Sequence, residues 1–137
     1  MLKLHRWTGA ALGLLAVVHG AAALADWRPQ PEPEEWRQVR EAHLPEPTWQ
    51  FLEAIRNDRV QAAEYLRADQ AVGDTVEFSA ALLLKKAGQT EWSTRVLAMR
   101  AVCADGRLER RSSYQSWSSY PSRPDTPVKV RWICSLP

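Results

Sequence analysis

The sequence predicts a small α+β domain, built on an antiparallel β-sheet of at least four strands with a helical or irregular N-terminal part and one disulfide. Three observations support this fold class. Apolar residues occupy every second position from Val76 to Leu84 within the run Thr75–Lys86, as in a strand. Asp105-Gly106 is a strong signal for a tight hairpin turn. Cys103 and Cys134 follow an N-terminus that is typical of exported proteins, in which disulfides form.

Residues 1–25 have the pattern of a secretory signal peptide. Lys3 and Arg6 give a basic start, the stretch Thr8–Leu24 contains no acid, lysine or arginine, and Ala23-Leu24-Ala25 is a small-x-small cleavage site. The alternative is an uncleaved anchor, since the uncharged stretch is about as long as the shortest membrane-spanning helix. We expect an exported protein of the periplasm, a lumenal space or the cell surface, which meets a membrane only through an uncleaved signal.

Residues 26–47 form an arm that is rich in proline and glutamate. Alternating prolines favour an extended, semi-rigid chain. Between them, Glu34–Leu44 is predicted to form a short helix that Pro45 ends, with Trp36 among the residues on one face. The arm is either a tether or a segment lying across the domain, and its two tryptophans, at positions 27 and 36, favour docking because free tethers rarely carry large aromatic residues. Residues 48–137 are predicted to form a single β-rich domain.

The stretch from Thr48 to Asp69 is ambiguous. Leu52, Ile55 and Leu66 suit a helix that Thr48 would cap, but residues 63–67 fit a strand equally well. We expect a helix or irregular segment first and a strand afterwards.

The remaining strands are predicted from turns and alternation. After the strand 75–86, a second strand runs from Trp92 to Cys103 and reaches the Asp105-Gly106 turn. With a two-residue turn, Cys103 faces Leu108. The third strand is predicted at 108–117, a Ser/Pro-rich loop at 118–127, and a last strand at 128–134. The cysteine pair is then predicted to be a structural disulfide that joins the terminal strand to the hairpin; the alternatives are free thiols or a bridge to a second copy.

Composition and motifs provide no support for catalysis. The formal net charge of +2 falls to zero once Lys3 and Arg6 are removed, so we expect no nucleic-acid partner. His43 is the single histidine after residue 25, and no His/Cys spacing fits a metal site. With both cysteines paired, no thiol nucleophile remains. We expect a protein that is not an enzyme and has no cofactor, metal site or catalytic residue.

Two groups of residues near the predicted hairpin are candidate partner-binding sites. One is aromatic and could stack on a sugar or peptide, although such rings more often pack under a loop. The other is basic, and Lys129 and Arg131 on the last predicted strand extend it. Strand geometry places Arg107 and Arg111 on one face of the sheet and Arg110 on the other. The alternative is that these basic residues form a plain solvated surface. The candidates are Arg107, Arg110, Arg111, Tyr114, Trp117 and Tyr120.

The order of motifs over residues 49–134 resembles the surface-adhesin protein E family of small exported bacterial proteins. The resemblance rests on Trp49, the segment 65–76, the Ala101-Val102-Cys103 strand end, the arginines after it, and the closing Trp132-Ile133-Cys134. It implies an antiparallel sheet with helical additions and adhesion to host glycoproteins. We therefore expect a non-catalytic binding module of the bacterial envelope or cell surface with a protein or glycan partner. The alternative is an assembly factor that grips a larger complex through the Pro-rich arm.

Overall fold

The computed structural model describes residues 27–137, so the predicted signal peptide lies outside the described residues. Six antiparallel strands follow one another in the sheet in chain order. Two helices, one before and one after the strands, complete the α+β domain predicted from the sequence. The elements are α1 (Glu34–His43), β1 (Gln50–Arg56), β2 (Val60–Val72), β3 (Thr75–Lys86), β4 (Ser93–Val102), β5 (Arg107–Arg111), β6 (Trp117–Ser119) and α2 (Thr126–Cys134).

The two helices pack on opposite faces of the sheet. On the α1 face, Trp36 packs with Phe51, Tyr65 and Leu83, all of which are buried. On the α2 face, the buried apolar residues come from β2, β3, β4 and the helix itself. Strand β3 contributes to both cores, because Leu83 and Ala81 point to one side while Phe78 and Ala80 point to the other. The sheet is therefore the central layer of three.

The segment 48–69 contains β1 and most of β2, so the strand expected in its second half is confirmed and the expected helix or irregular start is wrong. The simple alternation of β1 is broken by a bulge between Phe51 and Glu53, which inserts one extra residue into the ladder with β2. Phe51 belongs to the α1-face core, whereas Leu52 packs with the α2-face core. Because the bulge shifts the period, Leu52 and Ile55 give a helix-like spacing in a segment that is extended.

The β4–β5 connection is a hairpin with a longer turn than predicted. Val102 pairs with Arg107 and Ala101 with Leu108, so residues 103–106 form the turn and Cys103 does not face Leu108. Gly106 has a φ of 65°, and the amide N–H groups of Asp105 and Gly106 both donate to the carbonyl of Val102. The connection is therefore a four-residue helical turn and not the predicted two-residue turn. It is recognised by the two successive amide N–H groups that donate to one carbonyl oxygen.

The predicted third strand is divided into two short strands. β5 ends at Arg111, and a turn at Ser112–Ser116 reverses the chain into β6. Within this turn, the hydroxyl of Ser112 accepts hydrogen bonds from the backbone N–H groups of Tyr114 and Ser116. The serine-rich sequence therefore builds a turn, since serine side chains compete for backbone groups that a strand would use. The predicted loop then begins after Ser119 and not after Trp117.

The predicted last strand at 128–134 is a helix, α2. Pro127 lies in its first turn, where the missing N–H costs nothing, and Val130 and Ile133 are buried against the sheet. The disulfide between Cys103 and Cys134 is confirmed, with their Cα atoms 6.0 Å apart. It joins the β4–β5 turn to the last residue of a helix, so it fixes α2 on the sheet.

From Glu32 onwards the N-terminal arm packs on the α1 face, and its predicted helix is confirmed. Glu32 accepts two hydrogen bonds from the guanidinium of Arg40, at 2.8 and 3.0 Å, and a third from the Tyr65 hydroxyl, at 2.9 Å. Burial alone would raise the pKa of Glu32, but these hydrogen bonds from Arg40 and Tyr65 outweigh it and lower that pKa.

Between residues 27 and 137, neither helix has the length and apolar character that crossing a membrane requires.

Candidate functional site

The structure separates the sequence-predicted surface residues onto the two faces of the sheet. Strand register places Arg107, Arg111 and Trp117 on the α1 face, beyond the area that α1 covers. Arg110 lies on the α2 face, opposite Met99. Tyr120 packs with the α2-face core. The basic and aromatic candidates therefore do not form one surface.

On the α1 face, the arginines are paired within the domain. Glu109 accepts from Arg100 Nε at 2.6 Å and also from Arg107. The hydrogen bonds from Arg107 and Arg100 lower the pKa of Glu109. Arg107 also bonds Asp105, and Arg111 lies 3.8 Å from Glu77. Since each of the three arginines has a carboxylate, this cluster is neutral and is a poor electrostatic target for an acidic partner.

The aromatic candidates are equally dispersed. The ring of Trp117 lies between two guanidinium groups, 4.5 Å from that of Arg100 and 4.9 Å from that of Arg111. These cation–π contacts occupy the ring that was expected to stack on a ligand. Tyr114 projects from the β5–β6 turn and is 89 % exposed. A sugar-stacking platform needs neighbouring rings, and these three aromatic residues point to three different places.

A groove on the α2 face lies beside α2, over the part of the sheet that this helix leaves uncovered. We call it the α2 groove; its volume is about 500 Å³, within the range of small-molecule sites. The walls are Trp27 beside β1, Trp132 on α2, and the loop from Tyr120 to Asp125. The floor is made of apolar residues on alternate positions of three central strands: Ala62, Leu66, Ala80, Leu82, Leu84 and Leu97.

One side of the α2 groove carries a buried charge cluster centred on Lys129. Its ammonium group contacts Glu53, lies 3.1 Å from Asp125 Oδ2 and 3.4 Å from Glu64 Oε1. Glu53 and Asp125 are almost fully buried. The predicted strand placed Lys129 with the basic residues of the hairpin; because this segment is a helix, the Lys129 side chain instead reaches Glu53 on β1 and Glu64 on β2. Nearby, the Trp27 and Trp132 rings meet edge to face, with centroids 5.7 Å apart.

Glu53 should make the stability of the domain depend on pH. Burial first, and then the neighbouring Glu64, raise the pKa of Glu53 against the attraction of Lys129. A carboxyl group whose pKa is raised by folding stabilises the folded state fully below its unfolded-state pKa, and this stabilisation is lost as pH rises through its folded-state pKa. We expect Glu53→Gln to remove this pH-dependent loss. The free energy of unfolding of the Glu53→Gln variant, relative to that of the wild-type protein, should therefore rise from pH 4.5 to pH 8.

The size of the Glu53→Gln effect follows from linkage, at about 1.4 kcal/mol for each unit by which the folded and unfolded pKa values differ. Urea unfolding of both proteins at several pH values measures it. A constant offset between the substituted and wild-type proteins does not matter, since the altered contact with Lys129 contributes at every pH. Parallel pH profiles for the two proteins would contradict the assignment.

The α2 groove was not found from the sequence. Most of its floor residues lie on β3 and β4, within the predicted strands 75–86 and 92–103, but nothing in the local pattern shows which part of their shared face α2 leaves uncovered. The one sequence signal for a groove is that the α2 face of the sheet has more apolar residues than the short C-terminal segment can cover.

Among residues 27–137, there is no group of three or more histidine, cysteine or acidic side chains placed to hold a metal ion.

Taken together, the fold and the groove define a small disulfide-linked antiparallel-sheet domain with an open apolar site. No family model, no curated protein and no solved structure matches the chain. The resemblance to the surface-adhesin protein E family stays a prediction from the sequence.

Proposed function

We propose that this chain is an exported, non-catalytic binding module of the bacterial envelope or cell surface, and that it holds an apolar group of its partner in the α2 groove. The observation that supports this most directly is the groove itself. Apolar side chains from three adjacent strands lie side by side on its floor, while α2 covers the neighbouring part of the same face. An apolar concave site with a few charged groups at its edge is the usual form of a ligand site.

Two further features fit this proposal. The disulfide is compatible with an oxidising, exported location, as the signal-like N-terminus suggests. It also attaches α2, one wall of the groove, to the β4–β5 turn. The family resemblance favours attachment to a partner over turnover of a substrate, and an adhesin-like role belongs to the same proposal.

The arm-based assembly role receives less support. The arm was proposed to grip a larger complex, but its principal side chains contact the domain itself. Trp36 is 3 % exposed and belongs to the α1-face core. Glu32 is hydrogen bonded to Arg40 and Tyr65. A partner that used these groups would first have to displace them from their present contacts.

The groove is tested with the neutral apolar dye N-phenyl-1-naphthylamine and a matched pair of variants. Leu97 and Val96 are adjacent on β4 and point to opposite faces; Leu97 lines the groove, and Val96 is 49 % exposed on the other side. We expect saturable dye binding to the mature wild-type protein. Leu97→Gln should weaken it by about tenfold, since an apolar contact is replaced by a polar one. Val96→Gln should leave it unchanged.

Urea unfolding of both variants shows whether the fold is retained. If Leu97→Gln does not fold, Leu82→Gln, elsewhere on the floor, provides the same test. Absence of saturable dye binding to the folded wild-type protein, or equal losses for the two β4 variants, would overturn the proposed site.

A further inference from the structure

We infer that the α2 groove takes a single-chain amphiphile with an anionic head group, which Arg95 and Arg123 bind. This inference rests on the proposed function, because it names the ligand class of the same groove. The apolar floor accounts for the chain of such a ligand. Two arginines that line the same groove account for its head group.

Arg95 and Arg123 differ from the other charged residues that line the groove. In the part of the chain that the structure describes, neither guanidinium group makes an ion pair, a side-chain hydrogen bond or a ring contact. Lys129, in contrast, already lies against three carboxylates. A guanidinium group offers five N–H donors in a fixed planar arrangement that matches carboxylate or phosphate oxygens. Two such groups without a carboxylate partner, beside an apolar floor, form a site for an anion attached to an apolar body.

The position of the charges also gives the ligand an orientation. One cross-strand row runs from Glu53 through Glu64 and Leu82 to Arg95 on the α2 face. Since neighbouring strands are about 4.8 Å apart, the backbones of Glu64 and Arg95 are separated by about 10 Å. The acidic side of the groove repels an anionic head, whereas Arg95 attracts it. The head group is therefore placed on the β4 side, with the aliphatic chain along the floor.

The cavity volume favours one aliphatic chain. At about 500 Å³, the groove is at the lower end of the range for small-molecule sites. Trp27 and Trp132 close it beside β1, and Tyr120 closes it on the side of β6. A narrow apolar floor between aromatic walls suits an unbranched chain, and the aromatic rings provide large rigid contact areas.

The test compares three ligands with the same chain and different head groups: decanoate, decylamine and decanol. Each is used to displace N-phenyl-1-naphthylamine from the mature, disulfide-bonded protein at pH 7. We expect decanoate to displace the dye at a concentration about tenfold lower than decylamine, and its advantage to shrink as salt increases. The double variant Arg95→Gln/Arg123→Gln should bind decanoate about tenfold more weakly than wild type, with decanol changed less than twofold.

A control variant separates local contacts from the overall charge. Arg107→Gln/Arg111→Gln removes the same number of positive charges from the opposite face of the sheet. It should bind decanoate as the wild-type protein does. Equal losses in the two double variants, or a preference for decylamine, would overturn the inference about the head group while the groove remains an apolar site. If neither the dye nor any decyl compound binds, the proposed function fails as well.

Discussion

Replacing Cys103 and Cys134 together by alanine should lower the free energy of unfolding by about 3–4 kcal/mol. The two residues are separated by 31 positions, so their bond removes much conformational freedom from the unfolded chain. Domains of this size are typically stable by about 5–15 kcal/mol, which makes the expected loss a large fraction of the total. Urea unfolding of the oxidised protein and the double variant measures the difference.

Two controls show whether the loss comes from the covalent bond. Reduction of the wild-type protein should reproduce the effect of the double variant, because both leave the chain open. The single variant Cys103→Ala should be destabilised to a similar degree, since either substitution breaks the same bond. A loss below about 1 kcal/mol would contradict the role given to the disulfide. N-phenyl-1-naphthylamine binding to the reduced protein should also weaken, because α2 forms one wall of the groove.

The sheet could be predicted where local pattern and tertiary environment agree. Strand β3 has an apolar residue at every second position from Val76 to Leu84, and its ends are set by residues that favour turns, so its observed limits are those expected from the sequence. The helix α1 was predicted for a similar reason, since Pro33 and Pro45 bracket a segment with an apolar residue on one face. In both cases the residues that decide the structure are neighbours in the chain.

Elements were predicted wrongly where contacts between residues far apart in the chain determine the local structure. The sequence Val128-Lys129-Val130-Arg131-Trp132 alternates as a strand does, but Val130 and Ile133, three residues apart, are the buried pair in the helix α2. The β-type residues are held in a helix by packing on the sheet and by the disulfide, and tertiary contacts of this kind routinely override local propensity. In β1, one bulged residue was enough to disguise the period.

The groove depends on even more distant relations. Its lining comes from five strands, the Tyr120–Asp125 loop, α2 and Trp27. The predicted binding residues were chosen because arginines and aromatic rings cluster in the sequence near the turn. In the structure, Arg107 and Arg111 are neutralised by Glu109, Asp105 and Glu77, while Arg95 and Arg123, which no motif singles out, have no carboxylate partner among residues 27–137. Which arginine is paired is a property of the fold and cannot be read from spacing.

Replacing Trp36 by alanine should lower the free energy of unfolding by about 3–5 kcal/mol, the usual cost of removing a buried tryptophan ring. Trp36 is 3 % exposed, and its ring meets that of Trp92 edge to face with centroids 5.5 Å apart. The Arg56 guanidinium group lies 5.7 Å from the same ring. Urea unfolding at pH 7 measures the loss, which arises because the cavity left behind is bounded by the sheet and cannot close fully.

The matched control lies on the same helix. Glu41→Ala removes an exposed side chain that forms a surface ion pair with Arg37, 2.7 Å away, and should change the stability by less than about 0.5 kcal/mol. A large loss for Trp36→Ala alone means that the arm is part of the folded domain, because a tether contributes nothing to global stability. Equal, small effects of the two substitutions would instead show that the arm is separable, and would restore the assembly role in which it grips a partner.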